Sequence, residues 1–471
     1  MKIIHVSAEM APIAKIGGLG DVSYGLAMAQ KNLGHDVSVI IPRYDVLQSA
    51  YVTDISLAVK HLTWNYYGTA YSNSVWKGNV NGLQVFFIDS SNPAEFFDRG
   101  KIYGCPDDII RFLYFSRTVV EFLQRIDTIP DVLHVHEWQS AAVIPLVKQM
   151  KLSCRLIFTI HNMEYQGRCS PKEATSIGII DNEHLRDDTY PEAVNLLKAA
   201  IQAADQVTTV SPTYALETKS QSQGMGLEKT LQKHKKKYRG ILNGIDSKYW
   251  NPEHDPYIPR HYSEKSFLKG KKLAKDILRR RLQLEVADKP LVANVGRLVP
   301  QKGVDLLRDA IHYTLENGGQ FILQGTSPIE EIKKDFCNLK ESFSDNPNVH
   351  IEMHLEEELT HMIYAAADLF LVPSLFEPCG LTQQIALKYG AIPVVRNTGG
   401  LADTVRDASC GEEGNGFVFE EPTKEALHQV LNRAMTFWKE NKNGWNELVL
   451  KGVKKDFGWK LSAEKYLEIY K

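Results

Sequence analysis

The first forty residues, MKIIHVSAEMAPIAKIGGLGDVSYGLAMAQKNLGHDVSVI (1–40), contain one complete strand-helix-strand unit. Lys2 to Ala8 is a short run rich in Ile and Val, closed by the acidic Glu9, and reads as a buried strand. Leu19, Val22, Leu26, Ala29 and Leu33 then recur three or four apart, which lays an apolar stripe along a helix. Asp36 to Ile41 is a second β-rich run. Strands joined through a helix run parallel in one sheet, so this stretch predicts an α/β class. Between strand and helix lies the glycine-rich turn Lys15-Ile16-Gly17-Gly18-Leu19-Gly20-Asp21. Its glycines admit close backbone approach, and N–H groups at a helix start favour an anion such as phosphate. A plain tight turn has the same composition. The turn lacks the G-K-[ST] ending of a Walker loop and the glycine spacing of a dehydrogenase fingerprint.

The same alternation continues outward. Further strands are expected at Leu83 to Ile88, Val132 to Val135, Arg155 to Ile160 and Gln206 to Val210. A second series follows residue 285, at Leu291 to Val295, Gln320 to Leu323, Asn348 to Met353, Leu369 to Val372, Ile392 to Val395 and Gly416 to Phe419. Two series in 471 residues, against about 150 residues per domain, predict two large doubly wound parallel-sheet domains. The stretch Asn251 to Asp288, opened by Pro252, Pro256 and Pro259 and then strongly basic, reads as their boundary. The domains are accordingly 1–250 and 251–455, with a helical tail over 456–471.

Composition excludes several function classes. Lys and Arg number 55 against 57 Asp and Glu, a net charge of −2, so the excess of cations that a duplex-binding protein uses to displace counterions is missing. The basic runs Lys265 to Arg281 and Lys233 to Arg239 carry no aromatic platform and read as solvated helix faces, with contact to RNA or another polyanion as the alternative. Six cysteines form no C-x-x-C pair and read as reduced thiols. No apolar stretch approaches the ~18 residues of a membrane span, and Met1 to Glu9 lacks a signal-peptide core. A soluble, cytoplasmic protein without nucleic-acid or membrane partners is expected. No carboxylate or histidine cluster has metal spacing, so neither a metal nor a resident cofactor is expected.

In open parallel sheets ligands bind beyond the carboxyl ends of the strands, and the conspicuous polar residues follow such ends. His134-Val135-His136-Glu137-Trp138 closes one strand and His161-Asn162 the next. Gly296-Arg297 ends another, with Lys302-Gly303 shortly after, and Phe376-Glu377-Pro378-Cys379-Gly380-Leu381-Thr382 follows Leu369 to Val372. Arg297 and Lys302 combine a planar fork of donors with a mobile point charge, which suits a departing diphosphate, although two surface cations would look the same. Glu377 stands where a carboxylate can accept sugar hydroxyls while the following helix start holds phosphate; a charge favoured by the helix dipole is the simpler reading. His136 and His161 fit either a site or a satisfied core.

At these residues the chain resembles the bacterial glycogen synthase and plant starch synthase family, glycosyltransferase family 5. Lys15 to Val22 is similar to K-x-G-G-L-A-D-V, Phe96 to Arg99 and Ile102 to Gly104 to F-F-D-R and I-Y-G, and His161 to Gly167 to H-N-x-x-Y-Q-G. Val210 to Tyr214, Asn243 to Asp246, Phe376 to Gln383 and Thr398 to Val405 resemble V-S-P-T-Y, N-G-I-D, F-E-P-C-G-L-T-Q and T-G-G-L-A-D-T-V. The resemblance implies a GT-B fold, two Rossmann-like domains facing a cleft, and retaining transfer of glucose from a nucleotide sugar to the 4-hydroxyl of an α-1,4-glucan such as glycogen.

By matching positions, the resemblance gives catalytic roles to His161, Arg297, Lys302, Glu377 and Glu137. It gives donor-binding roles to Lys15, Gly17, Gly18, Asp21, Asn162, Asn243, Cys379, Gly380, Leu381, Thr382 and Met353. The tail is expected to cross back onto the first domain. The sequence departs from the family at His136-Glu137-Trp138-Gln139, where H-D-W-H is usual, and at Gly20. It departs also at Met353-His354, where Tyr-His would stack on a base and a thioether holds one less selectively. ADP-glucose is the expected donor and UDP-glucose the alternative; a phosphorylase-like enzyme or a noncatalytic glucan-binding protein are the rival classes.

Overall fold

The structure, a computed structural model of the chain, describes residues 1–90, 95–126, 129–180, 183–220 and 223–471. It divides into two compact units, Met1–Gly244 with Trp459–Lys471, and Ile245–Gly458.

The first unit is built on a nine-stranded sheet. Seven strands are mutually parallel: Lys2–Val6, Asp36–Pro42, Leu83–Asp89, Val132–His136, Arg155–Ile160, Gln206–Thr209 and Tyr238–Gly240. Ranked by their place in the chain, they lie side by side in the order 3-2-1-4-5-6-7. Val132–His136 is buried at every position, as a strand covered on both faces requires. Beyond Leu83–Asp89 the sheet continues antiparallel through Thr69–Val80 and Thr53–Tyr66.

That antiparallel extension is absent from the sequence expectation, and its physical cause is plain. Residues 53–61 are almost entirely solvent-facing and only Leu62, Trp64 and Tyr66 alternate into the core, so the strand lacks the continuous apolar run of its parallel neighbours. The turns did carry a signal. Tyr67-Gly68 and Asn81-Gly82 all have positive φ, at 48°, 80°, 50° and 81°, the two-residue hairpin geometry for which Asn-Gly is the usual mark.

The second unit holds a six-stranded, wholly parallel sheet: Val349–Glu352, Gln320–Thr326, Leu291–Arg297, Leu369–Val372, Ile392–Arg396 and Phe417–Phe419. By chain rank the order is 3-2-1-4-5-6, the doubly wound Rossmann arrangement. The order reverses between Leu291–Arg297 and Leu369–Val372, and the loops leaving those two strands therefore diverge and open a crevice.

The basic stretch behaves differently from its reading as a linker with a solvated face. Phe267–Arg281 is a helix inside the second unit, and Lys271 and Arg279 are buried. Lys271 Nζ donates to the carbonyls of Ala365, Ala367 and Tyr389 at 2.9–3.1 Å, and Lys275 pairs with Asp368 at 2.6 Å. These cations satisfy a helix end and a strand start, which is why a charged sequence lies inside a fold.

The tail residues Trp459–Lys471 belong to the first unit. Gly25 makes the seat: a Cβ there would stand 2.1 Å from Trp459 Nε1, so only glycine lets the indole reach helix Gly18–Asn32. Tyr466 and Tyr470 of the tail helix are buried in the first unit's core.

Candidate functional site

In the second unit the polar groups gather at the reversal of strand order. Arg297 ends the first strand there; its side chain is exposed and has no ion-pair partner among the described residues. Lys302 follows on the same loop, and its Nζ lies 2.5 Å from Glu377 Oε2 on the loop after Leu369–Val372. Ser374 donates a second hydrogen bond to that oxygen at 2.9 Å. The loops are joined further by Leu375 N to Gln301 O at 2.8 Å and Gln301 Nε2 to Phe376 O at 3.1 Å. Gly303 makes the approach possible, with φ +70° and a Cβ that would meet Pro373 O at 2.2 Å.

Glu377 is 5% exposed. Its carboxylate is buried and faces the Lys302 ammonium. Cys379, Gly380 and Leu381 continue the same loop into helix Thr382–Lys388, with Gly380 at φ +71°. Met353 stands apart from this loop, just past the edge strand Val349–Glu352, half-buried against the second core.

In the first unit the corresponding reversal lies between Lys2–Val6 and Val132–His136. Glu137, just past the second of these, is 6% exposed and takes a positive φ of 66°. Its Oε1 accepts the backbone N–H of His161 and, at 2.8 Å, that of Asn162; Oε2 accepts Trp138 N at 3.3 Å. Burial raises its pKa to about 7, against the pull of those three donors. Glu137 thus frames the His161-Asn162 turn. His161 is half-buried, its Nε2 is 3.1 Å from His136 Nδ1, and burial lowers its pKa to about 3. It is a neutral imidazole.

The glycine turn also differs from expectation. The N–H groups of Ile16 and Gly17 point at Glu9 Oε2, at 2.7 and 3.0 Å, and Tyr103 donates to the other oxygen at 2.9 Å. The anion at this loop is the chain's own carboxylate, so Gly17 contributes backbone shape and not a free donor. Lys15 is exposed and paired with Asp21 at 2.8 Å; Gly18 starts the helix and is exposed. Asn243 is buried and follows the edge strand Tyr238–Gly240, two strands away from the one that His161 follows.

Sequence reading passed over Glu9, seen only as the end of a strand, and His5, which joins His134 and His136 behind His161. His5, His134 and His136 are fully buried, with one nitrogen from each within 4.8 Å of the others. Each of their ring nitrogens lies within hydrogen-bond reach of a protein partner, so the trio fits a hydrogen-bonded chain better than a metal cage. His-x-His in a strand was a visible signal; the partner Tyr470, 336 residues from His134, left none.

Comparison with known proteins adds family-level evidence. The starch synthase catalytic domain family matches residues 2–233, and the glycosyl transferases group 1 family matches residues 277–446. A glycogen synthase of Protochlamydia amoebophila is 46% identical, the alignment covering 100% of this chain and 99% of the relative. A probable starch synthase 4 of Arabidopsis thaliana is 44% identical over 99% of this chain and 46% of its own length. The solved catalytic domain of starch synthase IV from Arabidopsis thaliana, bound to ADP and acarbose, superposes with a TM-score of 0.95 at 43% identity, covering 100% of this chain and 98% of that one. Among the described residues no helix is long and apolar enough to cross a membrane.

Proposed function

Because this chain belongs to the glycogen and starch synthase family of glucan-elongating glucosyltransferases, with the GT-B fold, we propose that it moves glucose with retention from ADP-glucose to the 4-hydroxyl at the nonreducing end of an α-1,4-glucan such as glycogen, in the cytoplasm. One observation carries the reading. Arg297, Lys302 and Glu377 stand on the two loops that diverge at the strand-order reversal of the second sheet, where such sheets bind ligands.

In this reading Arg297 and Lys302 hold the diphosphate, and Glu377 fixes Lys302 while the backbone of Cys379, Gly380, Leu381 and Thr382 supports glucose and phosphate. Met353 and Asn243 contribute to the donor's remaining contacts. Lys15, oriented by Asp21, and Gly18 at the exposed helix start meet donor phosphates, and Gly17 shapes the turn that carries them. His161 and Asn162, framed by Glu137, line the sugar pocket. The bond between glucose C1 and the diphosphate oxygen breaks through an oxocarbenium-like state. The departing oxygen takes the proton of the acceptor hydroxyl, whose oxygen then bonds to C1 on the same face. The charge growing on the leaving group makes the fixed cations the largest catalytic contribution. No metal or resident cofactor takes part.

The deciding experiment assays ADP-glucose and UDP-glucose side by side with glycogen as acceptor. Faster transfer from ADP-glucose is expected, and UDP-glucose preference would reassign the base pocket, where Met353 offers no stacking ring. Transfer that needs glucose 1-phosphate and a bound pyridoxal chromophore would replace the reading with a phosphorylase, and glucan binding with no transfer would replace it with a binding protein. Added EDTA should leave the rate intact.

A further inference from the structure

We infer that Gln30 is a positioning residue: through His5 and His136 its side-chain amide fixes which ring nitrogen of His161 carries the proton, and Tyr470 in the C-terminal helix fixes Gln30. The inference deepens the reading above, in which His161 lines the sugar pocket.

The chain of contacts is unbroken and lies wholly within the first unit. Gln30 Oε1 is 2.8 Å from His5 Nε2, His5 Nδ1 is 3.0 Å from His136 Nε2, and His136 Nδ1 is 3.1 Å from His161 Nε2. On its other side Gln30 Nε2 donates to Tyr470 Oη at 2.9 Å. Tyr470 Oη is 2.6 Å from His134 Nδ1, and His134 Nε2 is 2.6 Å from Thr159 Oγ1. Gln30, His5, His134 and His136 are fully buried, and Tyr470 is nearly so. Burial holds the imidazoles well below their ordinary pKa, so each carries one proton.

A neutral imidazole has one donor nitrogen and one acceptor, and two donors cannot face each other in a buried contact without losing a hydrogen bond. Directions therefore propagate. Gln30 Oε1 only accepts, so His5 bears its proton on Nε2 and accepts at Nδ1. His136 then bears its proton on Nε2 and accepts at Nδ1, and His161 bears its proton on Nε2. The Nδ1 of His161 is left as an acceptor with no protein partner among the described residues, ready for a hydroxyl that donates to it. In the other arm Tyr470 accepts from the Gln30 amide, its own O–H goes to His134 Nδ1, and His134 Nε2 donates to Thr159. A Gln30 amide turned end for end would reverse both arms together. The ring nitrogen that is protonated is set by the bond the other nitrogen makes, and here that bond leads back to one amide.

The test is nitrogen NMR of the full chain with ¹⁵N-labelled histidine, the His161 signals being assigned by their loss in His161→Gln. Wild type should show His161 protonated at Nε2 and unprotonated at Nδ1 at neutral pH; the opposite tautomer overturns the inference. Gln30→Glu presents oxygen to both neighbours. It should leave His161 unchanged and move the His134 proton from Nε2 to Nδ1, a pattern that a general loss of packing does not produce. Tyr470→Phe frees the amide and should give averaged signals at both His161 nitrogens, with kcat/KM for the nucleotide sugar about tenfold lower, the worth of one hydrogen bond. Unchanged His161 signals in a folded Tyr470→Phe overturn the inference, and if Gln30→Glu does not fold, the wild-type tautomer and Tyr470→Phe still decide. Absence of transfer by the wild type would sink the functional reading while leaving the tautomer pattern to stand or fall separately.

Discussion

In the first unit Glu9, Glu137 and the buried histidines at the strand ends are bonded to neighbouring groups, whereas in the second a cation stands with no ion-pair partner among the described residues. Glu137 accepts three backbone N–H groups, Glu9 accepts two more and a tyrosine hydroxyl, and His161 closes a chain of buried histidines. Across the second sheet's reversal, Lys302 is paired but partly exposed and Arg297 is open. The contrast is between groups bonded so as to hold a turn in shape and a cation left able to meet a ligand's charge. Buried, mutually bonded groups keep a pocket rigid, while charge is useful to a leaving group only if it is not fully neutralised beforehand.

The largest expected effect tests the charged half directly. Arg297→Ala should lower kcat by roughly 10² to 10³, about 3 to 4 kcal/mol, with the melting temperature almost unmoved because the side chain is exposed. Near-normal turnover at saturating donor would erase the contrast, since the free cation would then have no catalytic use.

The Lys302–Glu377 pair sharpens the contrast by asymmetry. Lys302→Ala leaves Glu377 buried with Ser374 as its remaining side-chain partner, and should cost about 3 kcal/mol of stability in addition to activity. Glu377→Ala leaves a lysine that can turn to water and should cost about 1 kcal/mol. Denaturant unfolding of both variants measures the difference; equal losses would mean that the carboxylate is better solvated than its contacts imply.

How much of this was legible in the sequence follows from where the information lies. Arg155–Ile160 and Leu369–Val372 coincide with their expected strands because buried parallel strands are continuous apolar runs. Arg297, Lys302 and Glu377 were readable as strand-end residues, since a strand end is a local feature. That Glu377 is buried and paired was not, because it depends on a loop 75 residues away. The outer hairpin was missed although its edge strand alternates, with Ile55, Leu57 and Val59 left largely outside and, after a register shift, Leu62, Trp64 and Tyr66 buried; the turns at Tyr67-Gly68 and Asn81-Gly82 marked its ends. Gln30 meets Tyr470, 440 residues away, in the tail whose Trp459 sits in the space that Gly25 leaves.

Glu137 gives the satisfied half a pH signature. Its pKa is raised from an ordinary 4.5 to about 7 in the folded state, so the folded protein holds a proton that the unfolded chain releases between those values. The stability from that proton is complete below pH 4.5 and is lost as pH rises to 7, on the order of 3 kcal/mol. Glu137→Gln removes the titration, so its stability relative to wild type should improve steadily from pH 5 to 7. A difference that is flat over that range would mean that the three N–H donors already keep Glu137 ionised.

The smallest effect probes the glycine turn. Tyr103 donates one hydrogen bond to the buried Glu9 while Ile16 and Gly17 supply two backbone donors to its other oxygen. Tyr103→Phe deletes one of three and leaves the turn anchored, so about 1 kcal/mol of stability should be lost with kcat nearly unchanged. Glu9→Ala is the informative contrast, because it strands both N–H groups and frees the turn that carries Lys15. It should raise KM for the nucleotide sugar while Tyr103→Phe does not. If the two variants raise KM equally, the hydroxyl is as important as the carboxylate's grip on the backbone, and the turn is shaped by Tyr103 as much as by Glu9.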